Sequence, residues 1–494
     1  MLVKNKVGFF VGIALFAVVL FIPVPYGMSV YAWRTVAVTV LMAVFWISEA
    51  LPIAATALVP IVFFPVLGVM ESGAVTVSYG ANVIFLFMGG FFLAVTMEKW
   101  NLHRRIALKT IQLTGTSPPK MIFGFAVATF LLSMWVSNTA TAVMMVPIGV
   151  AVITSLTGGS SDPVQMKKET NFSKSLMLMI AYTSTIGGVT TIIATPANAI
   201  AVGILYSTFG VTVTFFEWML IGLPFGVVML LLVYFLLTKI MFRTGDLELM
   251  GGKSIIEAEY NKLGVMSSPE KRVLIIGALM VGSWIVRGFI NIEALDLVTD
   301  TQIAIAGTLL LFLVPAKRGE RILDWNTALK IPWGICLLFG GGIAIATAFE
   351  QTGLAYWVSE NVSNIEGLTL FTMVLIATAV VRSLTEFVSN TATATLFIPI
   401  MGASAIALGL HPFATIIAVC LASSMCFMMP VATPPNAIAF SSGHMKIKDM
   451  IVAGFILSFF VIALIVAVVL YWLPLVWGVD LGVTPQSVLD FIAQ

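Results

Sequence analysis

Apolar residues in this chain come in long unbroken runs, separated by short stretches that hold most of its lysines and arginines. A helix needs about 20 mostly apolar residues to cross the hydrocarbon core of a bilayer. Runs of that kind lie at roughly 7–24, 33–49, 53–70, 82–97, 176–208, 216–240, 272–290, 301–315, 332–350, 412–440 and 450–472. The pattern predicts an all-α polytopic membrane protein with about eleven transmembrane helices. The first run follows Lys4 and Lys6 but has no small-residue cleavage site after it, so it reads as a span and not as a signal peptide.

Two further apolar stretches, 121–154 and 367–409, behave differently. A helix from Met121 to Val136 would rise only about 24 Å, short for a span. Lys120 and Lys167 flank the first stretch on what must be the same side. Both stretches are therefore expected to be re-entrant helical hairpins, the first entering from the inner side and the second from the outer side. Their buried tips would be Ser137-Asn138-Thr139 and Ser389-Asn390-Thr391.

Positive charge sets the orientation. With the N-terminus inside, the inner segments collect Lys99, Arg104, Arg105, Lys109, Lys120, Lys167, Lys168, Lys174, Lys239, Arg243, Lys253, Lys262, Lys271, Arg272, Lys317, Arg318, Arg321, Lys446 and Lys448. The outer segments carry Glu293, Asp296, Asp300, Glu360, Glu366 and Asp480, with Arg34, Arg287 and Arg382 as exceptions. This places the N-terminus in the cytoplasm and the C-terminus outside. The chain divides into a first half, 1–240, a cytoplasmic linker, 241–271, and a second half, 272–494.

Composition agrees and excludes other classes. Of 494 residues, 60% are hydrophobic and 10% charged, with a mean hydropathy of +1.06, against about 25% charged in soluble domains. A net charge of +2 gives no reason to expect a nucleic-acid partner. Cys336, Cys420 and Cys426 lie in apolar runs as buried thiols, and His103, His411 and His444 lack metal-ligand spacing. No cofactor is expected.

The halves repeat one another. Residues 136–142 and 388–394 both read Val-Ser-Asn-Thr-Ala-Thr-Ala, at an offset of 388 − 136 = 252. The glycine-bearing helices at 87–102 and 339–354 share that offset, and ATPAN at 194–198 returns as ATPPN at 432–436. The span at 82–97 runs inward and its counterpart at 332–350 outward, so the repeats are inverted. Inverted repeats supply two pseudo-symmetric conformations around a midplane site, as alternating access requires.

Pro196 and the pair Pro434-Pro435 fall inside long apolar segments and predict helices broken in mid-membrane. Such backbone is tolerated in lipid only where it lines an enclosed cavity. Two tips and two breaks thus bring hydroxyls, amides and freed backbone groups together. Helix N-termini and hydroxyls suit a carboxylate, and freed carbonyls with asparagine oxygens suit a hard monovalent cation. In membrane helices the same residues commonly serve as interhelical glue, but glue explains poorly why two inverted copies accompany two proline breaks. Glu49, Glu98, Glu350 and Glu386 sit near span ends and are expected to pair locally or reach the interface, with a proton or cation site as the alternative. Arg382 has Phe130 as its counterpart; it is expected to reach the outer interface, with contact to an anion or replacement of a cation as alternatives.

These motifs resemble the divalent anion:sodium symporter family. The twin Ser-Asn-Thr runs are similar to its substrate motifs, and SSMCFMMPVATPPNAIA at 423–439 resembles its second-half signature, with Ala439 where valine is usual. ISEALPIAATALVP at 47–60 and LHRRIAL at 102–108 also resemble family elements. The resemblance implies a homodimeric secondary transporter of C4-dicarboxylates such as succinate in the cytoplasmic membrane, working as an elevator, with sodium as coupling ion. It implies that Ser137, Asn138, Thr139, Ser389, Asn390, Thr391, Thr433 and Pro434 surround the substrate, with Thr195 and Pro196 related by symmetry. One sodium is implied near Ser133, Ser137, Asn138 and the Ala194 backbone, a second near Thr385, Val388, Asn390 and the Ala432 backbone. A sodium-independent dicarboxylate exchanger, or a citrate or sulfate transporter of the same family, are the alternatives. An intramembrane hydrolase built on Ser137 or Ser389 lacks a histidine base at that depth, an anion channel would show currents that outpace any carrier and ignore countersubstrate, and no glycine-rich phosphate loop points to an ATP-driven pump.

Overall fold

A backbone shielded from water satisfies its own N–H and C=O groups only within a helix or a closed barrel, and the apolar runs of this chain fold as helices throughout. In the computed structural model, residues 2–115, 117–156, 163–243, 252–289, 298–317, 319–363 and 369–492 are described. Glu293, Asp296, Arg318 and Glu366, used above for orientation, fall outside them, as do the side chains of Lys4, Lys253 and Lys317. Among the described residues, eight helices are long and apolar enough to cross a membrane, and seven shorter apolar helices accompany them.

Both expected hairpins are pairs of helices with a short non-helical tip: Pro118–Ser133 with Asn138–Leu156, and Leu370–Leu384 with Asn390–Ala407. Both expected breaks are present. Helix Pro163–Gly188 ends and Pro196–Phe209 begins; Phe413–Ser424 ends and Pro434–Ser441 begins. Each half then closes with a long helix that passes into a π-turn, Phe215–Phe235 with Leu236–Met241 and Ile447–Ala467 with Val468–Trp472. The halves interlock. Pro434–Ser441 packs on Asn138–Leu156, and Pro196–Phe209 packs on Asn390–Ala407.

The segment at 53–70 departs from the single span expected. It folds as two short helices, Ile53–Thr56 and Val59–Val66, bent at Ala57-Leu58. Pro52, Pro60 and Pro65 remove three donors within fourteen residues. Side chains hold the bend's carbonyls: Trp46 Nε1 donates to Ile53 O at 3.1 Å, which also accepts from Ala57 N, and Tyr79 Oη donates to Ala57 O.

Two helices outside the predicted spans lie on the cytoplasmic side of the expected topology. Leu102–Thr114 buries Leu102, Arg105, Leu108 and Ile111, one face at helical spacing. Gly252–Lys262, inside the supposed linker, packs against it. Arg105 ties Leu102–Thr114 to the turn after Gly252–Lys262 and to helix Ser268–Phe289: Nε donates to Glu270 Oε1 at 2.8 Å, Nη1 to Gly264 O at 2.9 Å and Nη2 to Leu263 O at 3.2 Å. Arg105 and Glu270 are both buried, so removing one partner strands the other. Arg105→Ala is expected to cost about 3 kcal/mol, read as a lower thermal midpoint in detergent; an unchanged midpoint would show the staple to be idle.

Candidate functional site

The first hairpin turns where helix Pro118–Ser133 runs out, and its last residue points back into the tip. Ser133 Oγ donates to Asn138 Oδ1 at 2.8 Å and shares that hydrogen with Ser184 O at 2.5 Å. Ser133 is wholly buried. The hairpin can approach helix Pro163–Gly188 this closely because Gly187 and Gly188 have no side chain: a Cβ on Gly188 would lie 2.3 Å from Asn138 Oδ1, and one on Gly187 would lie 2.5 Å from Phe130 O. Beside the buried Ser133, Ser137 and Thr139 are exposed and Asn138 half-buried.

The second hairpin repeats this arrangement. Thr385 Oγ1 donates to Asn390 Oδ1 at 2.7 Å and to Ser423 O at 2.5 Å. Thr385 is also wholly buried. Cys426 takes the place of Gly188, since 426 − 188 = 238 is the offset of the proline breaks, and its thiol lies 3.3 Å from Asn390 Oδ1. Each half thus holds a hydroxyl within hydrogen-bond reach of both an amide oxygen and a main-chain carbonyl. Three hard oxygens of this kind suit a monovalent hard cation, with the hydroxyl hydrogen turned outward.

The tips are not identical. Ala140 N donates to Ser137 Oγ at 3.3 Å, so Ser137 caps its own helix. Ser389 caps Asn390–Ala407 without a side-chain bond, which leaves its hydroxyl uncommitted. Thr391 is half-buried.

At the breaks, Thr195 and Thr433 both have extended backbone, with φ/ψ of −137/143° and −152/146°, and neither side chain caps the helix that follows. Both are buried, beside Pro196, half-buried, and Pro434, exposed. The freed carbonyls are held by asparagine. Asn198 Nδ2 donates to Gly188 O and Thr191 O at 3.2 and 2.7 Å; Asn436 Nδ2 donates to Cys426 O and Met429 O at 3.4 and 3.1 Å. The closing helices lie on the same stretches through glycine. A Cβ on Gly222 would meet Val189 O at 2.7 Å, and one on Gly454 would meet Phe427 O at 2.5 Å.

The structure brings Ser133 to Asn138 and Thr385 to Asn390, as the repeat leads one to expect. Ala194, Ala432 and Val388 neighbour the sites in sequence, but among the described residues none shares a hydrogen bond with either cradle. Sequence reading missed the Ser184 and Ser423 carbonyls, Gly188, Cys426 and both asparagines. Asn198 and Asn436 were legible, since each ends a repeated ATPAN or ATPPN motif. The carbonyls were not, because any residue carries one.

Arg382 is placed differently from every alternative considered for it. It is buried, and its guanidinium pairs with Glu386 at 2.5 Å and donates to Ser458 Oγ at 2.8 Å. Its charge is spent on a carboxylate one turn away. Glu386 pairs locally, as expected of a span-end acid, and Glu49 is an exposed helix cap with φ of 50°. Among the described residues, no three His, Cys, Asp or Glu side chains gather as a metal site.

A family described as "Sodium:sulfate symporter transmembrane region" matches residues 3–478. The chain is 41% identical over 486 residues to the sodium-dependent dicarboxylate transporter SdcS of Staphylococcus saprophyticus, covering 97% of this chain and 93% of that one. SdcS of Staphylococcus aureus is 40% identical over 484 residues, covering 96% and 92%. Among solved structures, the YdaH transporter of Alcanivorax borkumensis aligns with a TM-score of 0.55 at 12% identity, over 82% of this chain and 88% of that one. MtrF of Neisseria gonorrhoeae aligns with a TM-score of 0.51 at 14% identity, over 79% and 80%. These two are likenesses of fold alone. With its broken helices, doubled hairpins and near-complete match, the chain is a multi-pass membrane protein and belongs to the sodium:sulfate symporter family.

Proposed function

We propose that this protein is a sodium-coupled symporter of C4-dicarboxylates such as succinate. The observation that carries this reading is the doubled oxygen cradle, Ser133–Asn138–Ser184 O and Thr385–Asn390–Ser423 O. Two like cation sites in inverted halves give a gradient of monovalent cations something to bind on either side of the membrane. The near-complete coverage and 40–41% identity to transporters named as sodium-dependent dicarboxylate transporters support the ion and the substrate class.

In this reading the anion lies between the tips and the breaks, against Ser137, Asn138, Thr139, Thr195, Pro196, Ser389, Asn390, Thr391, Thr433 and Pro434. The uncapped first turns of Pro196–Phe209 and Pro434–Ser441 favour its carboxylates. The halves would not contribute equally. Pro434 and Pro435 both lack an N–H, so the second break offers fewer backbone donors and leans on the Thr433 hydroxyl. Sodium would be held by Ser133, Ser137, Asn138 and the Ala194 backbone, and by Thr385, Val388, Asn390 and the Ala432 backbone, with Ser184 O and Ser423 O added to those sets.

Elevator motion is supported by the interlocking of the halves: Pro434–Ser441 packs on Asn138–Leu156 and Pro196–Phe209 on Asn390–Ala407, so the hairpin of one half would move with the break of the other. The hairpins as re-entrant elements, the homodimer, the cytoplasmic N-terminus and the outer C-terminus complete the proposal. The pairing of Arg382 with Glu386 removes the free positive charge that kept a sodium-independent exchanger in view.

Uptake of labelled succinate into proteoliposomes tests this. Uptake into empty vesicles is expected to follow an inward sodium gradient. Uptake that ignores sodium and needs dicarboxylate inside would overturn symport in favour of exchange. Citrate or sulfate outcompeting succinate would move the substrate assignment.

A further inference from the structure

The second break is clamped by a buried carboxylate that has no counterpart in the first. Phe427 N donates to Glu386 Oε1 at 2.9 Å, Met428 N to both carboxylate oxygens at 3.1 and 3.0 Å, and Met429 N to Oε2 at 3.2 Å. From the other side Asn436 holds the carbonyls of Cys426 and Met429. In the first half, Val189 N and Thr190 N bond to carbonyls of the turn before them. There, at the offset of 252, Phe130 and Met134 stand where Arg382 and Glu386 stand.

Around Glu386 the cluster is closed. Arg382 lies with its guanidinium carbon 5.7 Å from the centre of the Phe427 ring, and both charged residues are about 1% exposed. Tyr182, from the first half, donates to Phe427 O at 2.8 Å. Two covalent neighbours carry this cluster into the cradle: Glu386 follows Thr385, and Phe427 follows Cys426, whose thiol touches Asn390.

We propose that Glu386, neutralised by Arg382, is a positioning residue that sets the geometry of the second cation site. It accepts the three N–H groups that the break frees, and so holds Cys426 and Ser423 O against Thr385 and Asn390. Its loss leaves those donors unpaired and the arginine uncompensated, which loosens the cradle without touching the ion. The inference rests on the symport reading only for its sodium readout.

The test compares full-length protein with Glu386→Gln in proteoliposomes, alongside maleimide labelling read by peptide mass spectrometry at Cys426 and, as internal reference, at the buried Cys336. Half-saturating sodium is expected to rise about tenfold, while half-saturating succinate at saturating sodium moves much less. Cys426 labelling is expected to rise and Cys336 labelling to stay low. A lower maximal rate with unchanged half-saturating sodium, or a Cys426 still protected, would overturn the proposal. Wild-type uptake indifferent to sodium would instead overturn symport, and labelling would still decide whether Glu386 clamps the break. If Glu386→Gln exposes Cys336 as well, as global unfolding would, Tyr182→Phe carries the test. It removes only the hydroxyl that bridges Phe427 O and Met450 O and is expected to raise Cys426 labelling selectively; unchanged labelling would count against the clamp.

Discussion

Asn138→Ala and Asn390→Ala are each expected to abolish measurable sodium-driven succinate uptake while the protein still reaches the membrane and elutes as a single species in detergent. Each asparagine oxygen is the acceptor for the buried hydroxyl of its cradle, Ser133 at 2.8 Å and Thr385 at 2.7 Å. Truncation removes that oxygen from the cation and leaves the hydroxyl with only the Ser184 or Ser423 carbonyl. Hydrogen bonds to charged groups are worth about 1.5–3 kcal/mol, so one lost contact weakens a site by about 10- to 100-fold. Coupled transport multiplies the losses, because ion and anion must be bound together. Folding is spared because both tips are partly open, and neither amide is a core residue. Normal uptake by either variant would remove the twin tips as the site.

Gly454→Ala is expected to damage transport although residue 454 touches no ligand. A methyl there would sit 2.5 Å from the Phe427 carbonyl and 2.6 Å from Met428 N. These are main-chain atoms already held by Tyr182 and Glu386, so no flexible side chain can yield. Overpacking of this kind costs about 1–3 kcal/mol, and the displacement falls on the stretch that ends at the second cradle. We expect a lower thermal midpoint and a loss of uptake of at least about tenfold. Gly222→Ala should act in the same direction on the first break, against Val189 O and Thr190 O. Gly282→Ala, on helix Ser268–Phe289, is the control: nothing lies within 4 Å of its added methyl, and alanine favours helix over glycine. Equal behaviour of Gly454→Ala and Gly282→Ala would show that the closing helix does not bear on the break.

The site divides cleanly into legible and illegible parts. The tips were legible because a polar run in an apolar helix is conspicuous and was repeated. The breaks were legible because proline acts on its own backbone and its immediate neighbour. Leu102–Thr114 escaped a search for spans because it is amphipathic, and its buried Arg105 reads in one dimension as another cytoplasmic charge. The bend at Ala57-Leu58 was hidden by the apolar character of 53–70, although Pro52, Pro60 and Pro65 marked it.

Arg382 shows where the boundary falls. Its partner is only four residues away, so the ion pair was within reach of helical spacing. What could not be read was that the carboxylate would also receive three main-chain donors from residues 427–429, because those come from another helix's broken end. By itself the sequence determined the membrane as solvent, the repeat between the halves, and the positions of both tips and both breaks. All of these follow from composition or from chemistry acting within a few residues. Tertiary structure alone decided that Ser184 O and Ser423 O complete the cradles, that Gly188 and Gly454 let helices touch backbone to backbone, and that Arg382 faces inward. Those contacts join residues up to 76 positions apart, and they depend on how helices dock, which main-chain carbonyls and missing side chains do not announce.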